Sequence, residues 1–271
     1  MTSLTLEEMA RLVALRRRMQ ADLAKTDYKT FISHVMPEFE WNWHHKIIAD
    51  TLSTLRYKTR QFITIGVPAQ TGKSELVSRK FPAWILGNNP NARILLVSYS
   101  TDFASGFNRA TQSLMESEQY KEIFDVRLGR KGVKGNVTGI AKRTDKYFEI
   151  PNHSGFLRTV GVGAGSSGYP ADILILDDLY PGMTEALSEK YRTMVWNWVT
   201  SVGLQRLSKT ANVIVLNTRW HEKDVIGKFK ANKKIIEKLG THIDMRFPSL
   251  ADNNLHPLDP RKYDEPLWPV S

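Results

Sequence analysis

The chain has 271 residues, of which 41% are hydrophobic, enough to build one large α/β domain; Lys and Arg outnumber Asp and Glu by 38 to 28, a net charge of +10. No apolar run approaches the ~18 residues of a membrane span, and Met1-Thr2-Ser3-Leu4 lacks the apolar core of a secretion signal, so we expect no membrane segment and no export. The absence of cysteine excludes disulfides, thiolate metal sites and a cysteine nucleophile.

In chain order, Thr5-Leu6-Glu7-Glu8 reads as a capping box. It opens a helix whose Met9, Leu12, Leu15, Met19 and Leu23 recur at helical spacing. An aromatic and histidine-rich stretch follows, Phe39-Glu40-Trp41-Asn42-Trp43-His44-His45, leading into a helical pattern through Ile47, Ile48 and Leu52. Residues 1–57 are thus expected to form an N-terminal helical segment. Residues 58–247 are expected to form the core. Here short runs that are apolar on both faces (Phe62–Ile65, Arg93–Ser98, Ile173–Leu176, Val213–Leu216) alternate with helical patterns over Thr101–Ser117, Ser188–Val202 and Asp224–Lys234. That alternation predicts a doubly wound, mainly parallel sheet flanked by helices, with ligand at the carboxyl ends of its strands. Between Ile123 and Val162 the pattern turns irregular, with a pair of strands at Tyr147–Ile150 and Phe156–Val162. The tail, 248–271, carries Pro248, Pro257, Pro260, Pro266 and Pro269 and reads as an extended linker.

The excess positive charge is clustered. Arg127, Arg130, Lys131 and Lys134 lie among glycines in a loop able to follow a phosphate backbone, and Lys228, Lys230, Lys233, Lys234 and Lys238 recur farther on. A polyanionic partner is the corresponding expectation.

Directly after the first apolar run comes Val67-Pro68-Ala69-Gln70-Thr71-Gly72-Lys73-Ser74-Glu75. A strand that turns tightly into a helix aims several backbone N–H groups and the positive helix end at one point, where a polyphosphate can sit. Gly72 permits close approach, Lys73 reaches the terminal phosphates, and the Ser74 hydroxyl can ligate Mg²⁺. The usual pattern wants glycine where Val67 stands, and Gly66 comes one residue early. Trp43 and His45, just upstream, are candidates to hold an adenine by stacking and edge contacts.

The run Ile173-Leu174-Ile175-Leu176-Asp177-Asp178 is the expected companion of such a loop. Neighbouring residues of a strand face opposite ways, so the two acids divide the work: Asp177 for Mg²⁺ and Asp178 for the attacking water, with Glu185 as the runner-up base. A nuclease site built from Asp172, Asp177 and Asp178 is a further reading of the same acids. After the last apolar run, Asn217 and Thr218 stand where a strand end can register the terminal phosphate.

Together these motifs describe an additional-strand P-loop NTPase. The chain resembles the large terminase subunits of tailed bacteriophages, specifically their N-terminal ATPase domain. The resemblance is carried by P-A-Q-T-G-K-S-E-L-V-S-R-K-F-P-A-W-I-L-G-N-N-P, L-V-S-Y-S-T-D-F-A, G-V-G-A-G-S-S-G-Y-P-A-D-I-L-I-L-D-D, E-A-L-S-E-K-Y-R-T-M-V-W-N-W and N-T-R-W-H-E-K-D-V-I-G-K, and spans about residues 30 to 269.

The resemblance implies a motor that couples ATP hydrolysis, with Mg²⁺, to pumping double-stranded DNA into a procapsid. It implies a homo-oligomeric ring on the portal protein, a small terminase subunit as partner, and action in the host cytoplasm outside the mature virion. It also implies a C-terminal nuclease domain that these residues do not include. By this resemblance Lys73 and Ser74 match the phosphate-loop pair, Asp177 the Mg²⁺ acid, Asp178 the catalytic carboxylate, and Asn217-Thr218 the coupling motif. The chain departs from the family where an arginine often stands in the loop, here Ala69 or Gln70, and before the acid strand, here Ser166-Ser167-Gly168-Tyr169. Arg158, Arg79 and Arg143 are the available substitutes, with Arg158 the provisional arginine finger. A helicase-type nucleic-acid-dependent ATPase and a nucleotide-binding assembly protein with little hydrolysis remain alternatives.

Overall fold

The computed structural model describes residues 5–129, 141–165 and 168–267. Three helices come first: α1 (Leu6–Thr26), α2 (Tyr28–Val35) and α3 (Trp43–Thr54). The predicted capping box is in place, with Thr5 Oγ1 accepting from the Glu8 N–H at 3.2 Å and Glu8 accepting from the Thr5 N–H at 2.8 Å. Met9, Leu12, Leu15, Met19 and Leu23 nevertheless face solvent, and α1 is anchored instead through Ala21 and Ala24. Periodicity identified the helix but not the face it buries.

Seven strands follow: β1 (Gln61–Gly66), β2 (Arg93–Ser98), β3 (Tyr147–Glu149), β4 (Phe156–Gly161), β5 (Ala171–Asp177), β6 (Leu207–Asn217) and β7 (Thr241–Arg246). They form one sheet in the order β3-β4-β2-β5-β6-β1-β7, parallel throughout except for the β3–β4 pair. Alternate side chains build two cores. Ile63, Ile65, Ile94, Leu96, Ile173, Ile175, Ile214 and Leu216 face the N-terminal helices. Phe62, Leu95, Val97, Leu174, Leu176, Val213 and Val215 face the other layer.

The first layer includes α4 (Phe81–Asn88), α5 (Thr101–Glu116) and α6 (Glu118–Ile123). The second is built from α7 (Met183–Leu187), α8 (Glu189–Trp198), α9 (Val225–Lys230) and α10 (Lys233–Leu239). Helices α1 to α3 share their core with the helix that follows the loop. Fully buried Trp84 on α4 donates from Nε1 to the Ala24 carbonyl at 2.9 Å, and Tyr28 donates to the Leu76 carbonyl at 2.5 Å. A buried hydrogen bond of this kind contributes about 1 kcal/mol. Tyr28→Phe is therefore expected to lower unfolding stability by about that amount, read from urea midpoints, without altering the sheet.

Several boundaries differ from expectation. Ser188 and Asp224 cap helices as read, but the cap of α5 is Ser100, one residue before Thr101. The pattern from Asp224 to Lys234 divides because Asn232 caps a second helix. β7 was not foreseen: Thr-His-Ile-Asp-Met-Arg is polar because it lies at the edge of the sheet, where Asp244 is occupied by Thr64 at 2.7 Å and Lys230 at 2.6 Å. The tail up to Leu267 is not an extended exit. It turns back through Ala251 N–H to the Glu265 carbonyl at 2.9 Å, and buries Leu267 against the domain.

Candidate active site

β1 ends at Gly66, and the loop from Val67 to Ser74 leads into a π-helical turn, Glu75–Lys80. The loop bends through left-handed residues, Gln70 at φ 59° and Gly72 at φ 74°. Glycine fits position 72, where a Cβ would meet His45 Nε2 at 2.9 Å in addition to the cost of its φ. The N–H groups of Gln70, Thr71 and Gly72 have no acceptor among the described residues, so the loop presents a concave set of donors. Thr71 closes the turn by donating to the Pro68 carbonyl at 2.9 Å, while Ala69 and Gln70 are exposed at its tip.

His44 and His45 hold the loop from behind. His45 Nδ1 accepts from the Asn42 N–H at 3.0 Å, which leaves Nε2–H to donate to the Thr71 carbonyl at 2.6 Å; His44 Nε2 lies 3.3 Å from the same oxygen. Burial lowers both imidazoles, and the neighbouring ring helps bring His44 to about 4, so both are neutral at pH 7. The expectation of adenine contacts from this stretch is corrected here. His45 is fully buried with both nitrogens engaged inside the protein, and Trp43 packs edge-on to Phe247 at 5.4 Å with Arg261 over its ring. On the nucleotide reading proposed below, His45→Ala is expected to loosen the loop and weaken nucleotide binding about tenfold, whereas His45→Asn, retaining one donor, recovers part of it. Titration with a fluorescent nucleotide analogue checks this.

Lys73 is almost wholly buried. Its Nζ lies 2.8 Å from Asp178 Oδ2 and donates to Thr218 Oγ1. Asp178 reaches this position by an unusual backbone. It stands just past β5 at φ 41°, with its N–H given to the Leu216 carbonyl at 2.9 Å and its carbonyl accepting from the Tyr99 N–H at 3.3 Å. Left-handed aspartate is uncommon, and here it stands at a convergence of three strand ends. The other carboxylate oxygen accepts from the Thr218 N–H at 2.8 Å. Loop lysine, acid and β6 end are thus joined by three contacts.

Asp177, still within β5, faces the opposite way and is fully buried. It accepts from Ser74 Oγ at 3.2 Å and from Ser78 Oγ at 2.5 Å. Ser78 was not singled out in the sequence; its signal is the four-residue spacing from Ser74, which sets both hydroxyls on one helical face. A carboxylate beside a serine hydroxyl is a hard oxygen donor set of the kind Mg²⁺ takes together with phosphate oxygens and water. Burial, and then the charge of Asp178, push Asp177 up to about 7.

A Mg²⁺ ligand must be deprotonated, so a proton competes with the metal below that value. On the Mg²⁺ and nucleotide reading proposed below, the apparent Mg²⁺ half-saturation for nucleotide binding is expected to rise about tenfold per pH unit below about 7 and to be flat above it. Titrations between pH 5.5 and 8.5 test this. The sign for stability is opposite to that of an ion-paired aspartate. Because the folded value is raised, the metal-free protein loses stability as pH climbs toward about 7.

The remaining candidates are dispersed. Asn217 is buried and turns away from Lys73, donating to the Thr218 carbonyl at 2.8 Å and to Asp224 Oδ2 at 3.3 Å; Arg219 Nε meets the same carboxylate at 2.6 Å. Glu75 pairs with Lys80 at 2.8 Å and Arg79 at 3.3 Å. Glu185, on α7, is half-buried and has no hydrogen bond or ion pair to Lys73 or Asp178 among the described residues. Asp172 lies at the far end of β5, paired with Arg93 at 2.7 Å, so the three-acid nuclease reading is not assembled.

None of the substitute arginines reaches Lys73 within the chain. Arg158 stacks over Tyr169 at 4.2 Å, Arg79 is held by Glu75, and Arg143 is buried against Glu116 and Gln112. Arg127 donates to the Phe124 carbonyl at 2.5 Å, whereas Arg130, Lys131 and Lys134 lie outside the described residues. A cavity of about 320 Å³ opens beside the loop, walled by Gly66 to Ala69, Thr218, Arg219, Trp220, Arg246 and Phe247.

No protein-family model matches the sequence, and no curated protein is similar to it at a significant level. Among solved structures, the crystal structure of the HK97 bacteriophage large terminase superposes with a TM-score of 0.51 at 12% identity, over 88% of this chain and 45% of that one. The chain thus spans less than half the length of that terminase. At such identity the likeness is one of fold: this is an α/β architecture with a mainly parallel seven-stranded sheet and N-terminal helices, similar to that of a bacteriophage large terminase.

Proposed function

We propose that the chain is the ATP-hydrolysing motor domain of a viral DNA-packaging machine, working with Mg²⁺ on double-stranded DNA. The observation that carries this reading is the shared hold of Asp178 and Thr218 on Lys73, since it links the phosphate-binding lysine to the acid placed for water activation.

In the arrangement described, Lys73 is neutralised by Asp178. A polyphosphate entering the loop competes for the Lys73 ammonium, and as Lys73 turns to it, Asp178 is released to accept a proton from the attacking water. The released Thr218 hydroxyl and N–H sit beside Asn217, Arg219 and Asp224, a route by which the β6 end registers the terminal phosphate. Asp177 and Ser74 are the residues that would hold Mg²⁺, which would supply charge neutralisation for phosphoryl transfer when bound. An arginine that completes this neutralisation comes from a neighbouring subunit in the ring, with Arg158 the candidate from the sequence. Portal protein and small terminase subunit are the further partners this reading entails.

The base and ribose have room in the cavity beside the loop, where Trp220 offers a face, while Arg246 in the same wall is held by Asp252. Saturable quenching of tryptophan fluorescence by Mg²⁺·ATP, lost in Trp220→Phe while binding measured by calorimetry persists, tests this placement. No saturable nucleotide binding by either method contradicts the proposal. A helicase-type ATPase would separate strands of a duplex with ATP, and a packaging motor leaves them paired.

A further inference from the structure

The parallel sheet has two ends, and only one carries the site described. The other gathers the starts of β1, β6 and β7, one strand of six residues away, about 20 Å. Three segments meet there. The Arg56–Arg60 loop enters β1, Leu204–Lys209 enters β6, and the end of α10 enters β7.

They are tied together through main chain. Asn212 Nδ2 donates to the Lys58 carbonyl at 2.8 Å, the Arg60 N–H to the Thr210 carbonyl at 3.4 Å, Arg60 Nη2 to the Lys238 carbonyl at 3.2 Å, and the Thr241 N–H to the Arg60 carbonyl at 2.9 Å. Arg60 holds a left-handed backbone, φ 54°, at this junction. The segments therefore form a fixed surface.

Its charge is one-sided. Arg56, Lys58, Arg60, Lys209 and Lys238 are all exposed, and none has a carboxylate within ion-pair distance among the described residues. Neither the 56–60 loop nor the stretch 199–210 contains an acid. The acids nearby are Asp172, committed to Arg93 at 2.7 Å, and Glu237, exposed on α10. Exposed cations without an ion pair occur elsewhere too, Arg16, Arg18, Lys46 and Lys190 among them, but here five are gathered where three segments are tied together. Exposed cations gathered on one surface raise a positive local potential that concentrates anions there.

Two concavities share this surface. One, of about 410 Å³, is walled by Arg60, Lys209, Lys238, Gln205 and Ser208. The other, of about 530 Å³, is walled by Arg56, Lys58, Thr59, Asn88 and Thr210, with the Arg93-paired Asp172 at its side. Cations interleaved with neutral hydroxyl and amide donors are what phosphate and sugar oxygens bind, without reading bases. Arg127 stands against the Ile150–His153 turn that leads into β4, whose start lies at this same end of the sheet.

We infer that the amino-terminal end of the sheet, centred on Lys58, Arg60, Lys209 and Lys238, is a sequence-independent contact surface for the phosphate backbone of double-stranded DNA. The inference takes its partner class from the DNA-translocation reading. It places the DNA contact across the sheet from the nucleotide, so that β1 and β6 run from one to the other.

The test is nucleotide-free binding of a fluorescein-labelled 30-base-pair duplex as a function of salt, on the full chain. Lys58→Gln/Lys209→Gln/Lys238→Gln is expected to weaken binding at least about tenfold near 0.1 M salt and to reduce the slope of log K against log salt by about 2 to 3. ATP hydrolysis without DNA should be unchanged, which separates this result from failure of the ATPase reading and shows that the variant folds. Poly-glutamate should not displace the duplex at equal charge. Wild-type affinity and slope in the triple variant, with Arg127→Gln weakening binding instead, would overturn the proposal; so would equal competition by poly-glutamate.

Discussion

Lys73→Ala is expected to abolish ATP hydrolysis, lowering kcat/KM by at least about 10³-fold, with nucleotide affinity falling along with turnover. The lysine is held almost wholly out of solvent by Asp178 at 2.8 Å and by Thr218, so its ammonium is delivered to one place rather than sampled from solution. No other cation among the described residues takes over: Lys80 and Arg79 are committed to Glu75, and Arg219 to Asp224. The variant also leaves the half-buried Asp178 with only the Thr218 N–H as partner, and a lowered melting temperature accompanies the loss of activity. Phosphate release and calorimetric titration with ATP check the two effects separately.

Asp178→Asn is expected to divide binding from turnover. Hydrolysis falls by about 10² to 10⁴, since the amide cannot take the proton of the attacking water. Binding is retained and tightens, because the amide no longer competes with phosphate for Lys73. The backbone tolerates the change: asparagine adopts the left-handed conformation at φ 41° more readily than most residues, and its side-chain oxygen still accepts from the Thr218 N–H. Hydrolysis at the wild-type rate in this variant would remove Asp178 as the base and direct the same test to Glu185. Weaker binding would remove the competition between Asp178 and phosphate.

The order of strands and helices was legible because it rests on burial. Runs such as Ile173 to Leu176 and Val213 to Val215 are apolar on both faces, as a strand between two helical layers must be, and the loop and acid pair stand at their ends. What escaped the sequence depends on neighbours. β7 is polar because it is an edge strand whose Asp244 is matched by Thr64 and Lys230. Trp43 and His45 carry the composition of a base-binding stretch, yet Phe247, Asn42 and the Thr71 carbonyl claim them. Ser78 meets Asp177 only once the turn after the loop is wound against the end of β5, and the grip of Asp178 on Lys73 goes with a positive φ that no motif states.

Phosphate release from Mg²⁺·ATP by the wild-type chain, with and without duplex DNA, tests the central claim most directly. The account predicts hydrolysis that depends on Mg²⁺, rises when duplex is added, and disappears in Asp178→Asn while that variant still binds ATP. Saturable ATP binding with no phosphate release under either condition, at protein concentrations high enough for subunits to associate, would contradict it.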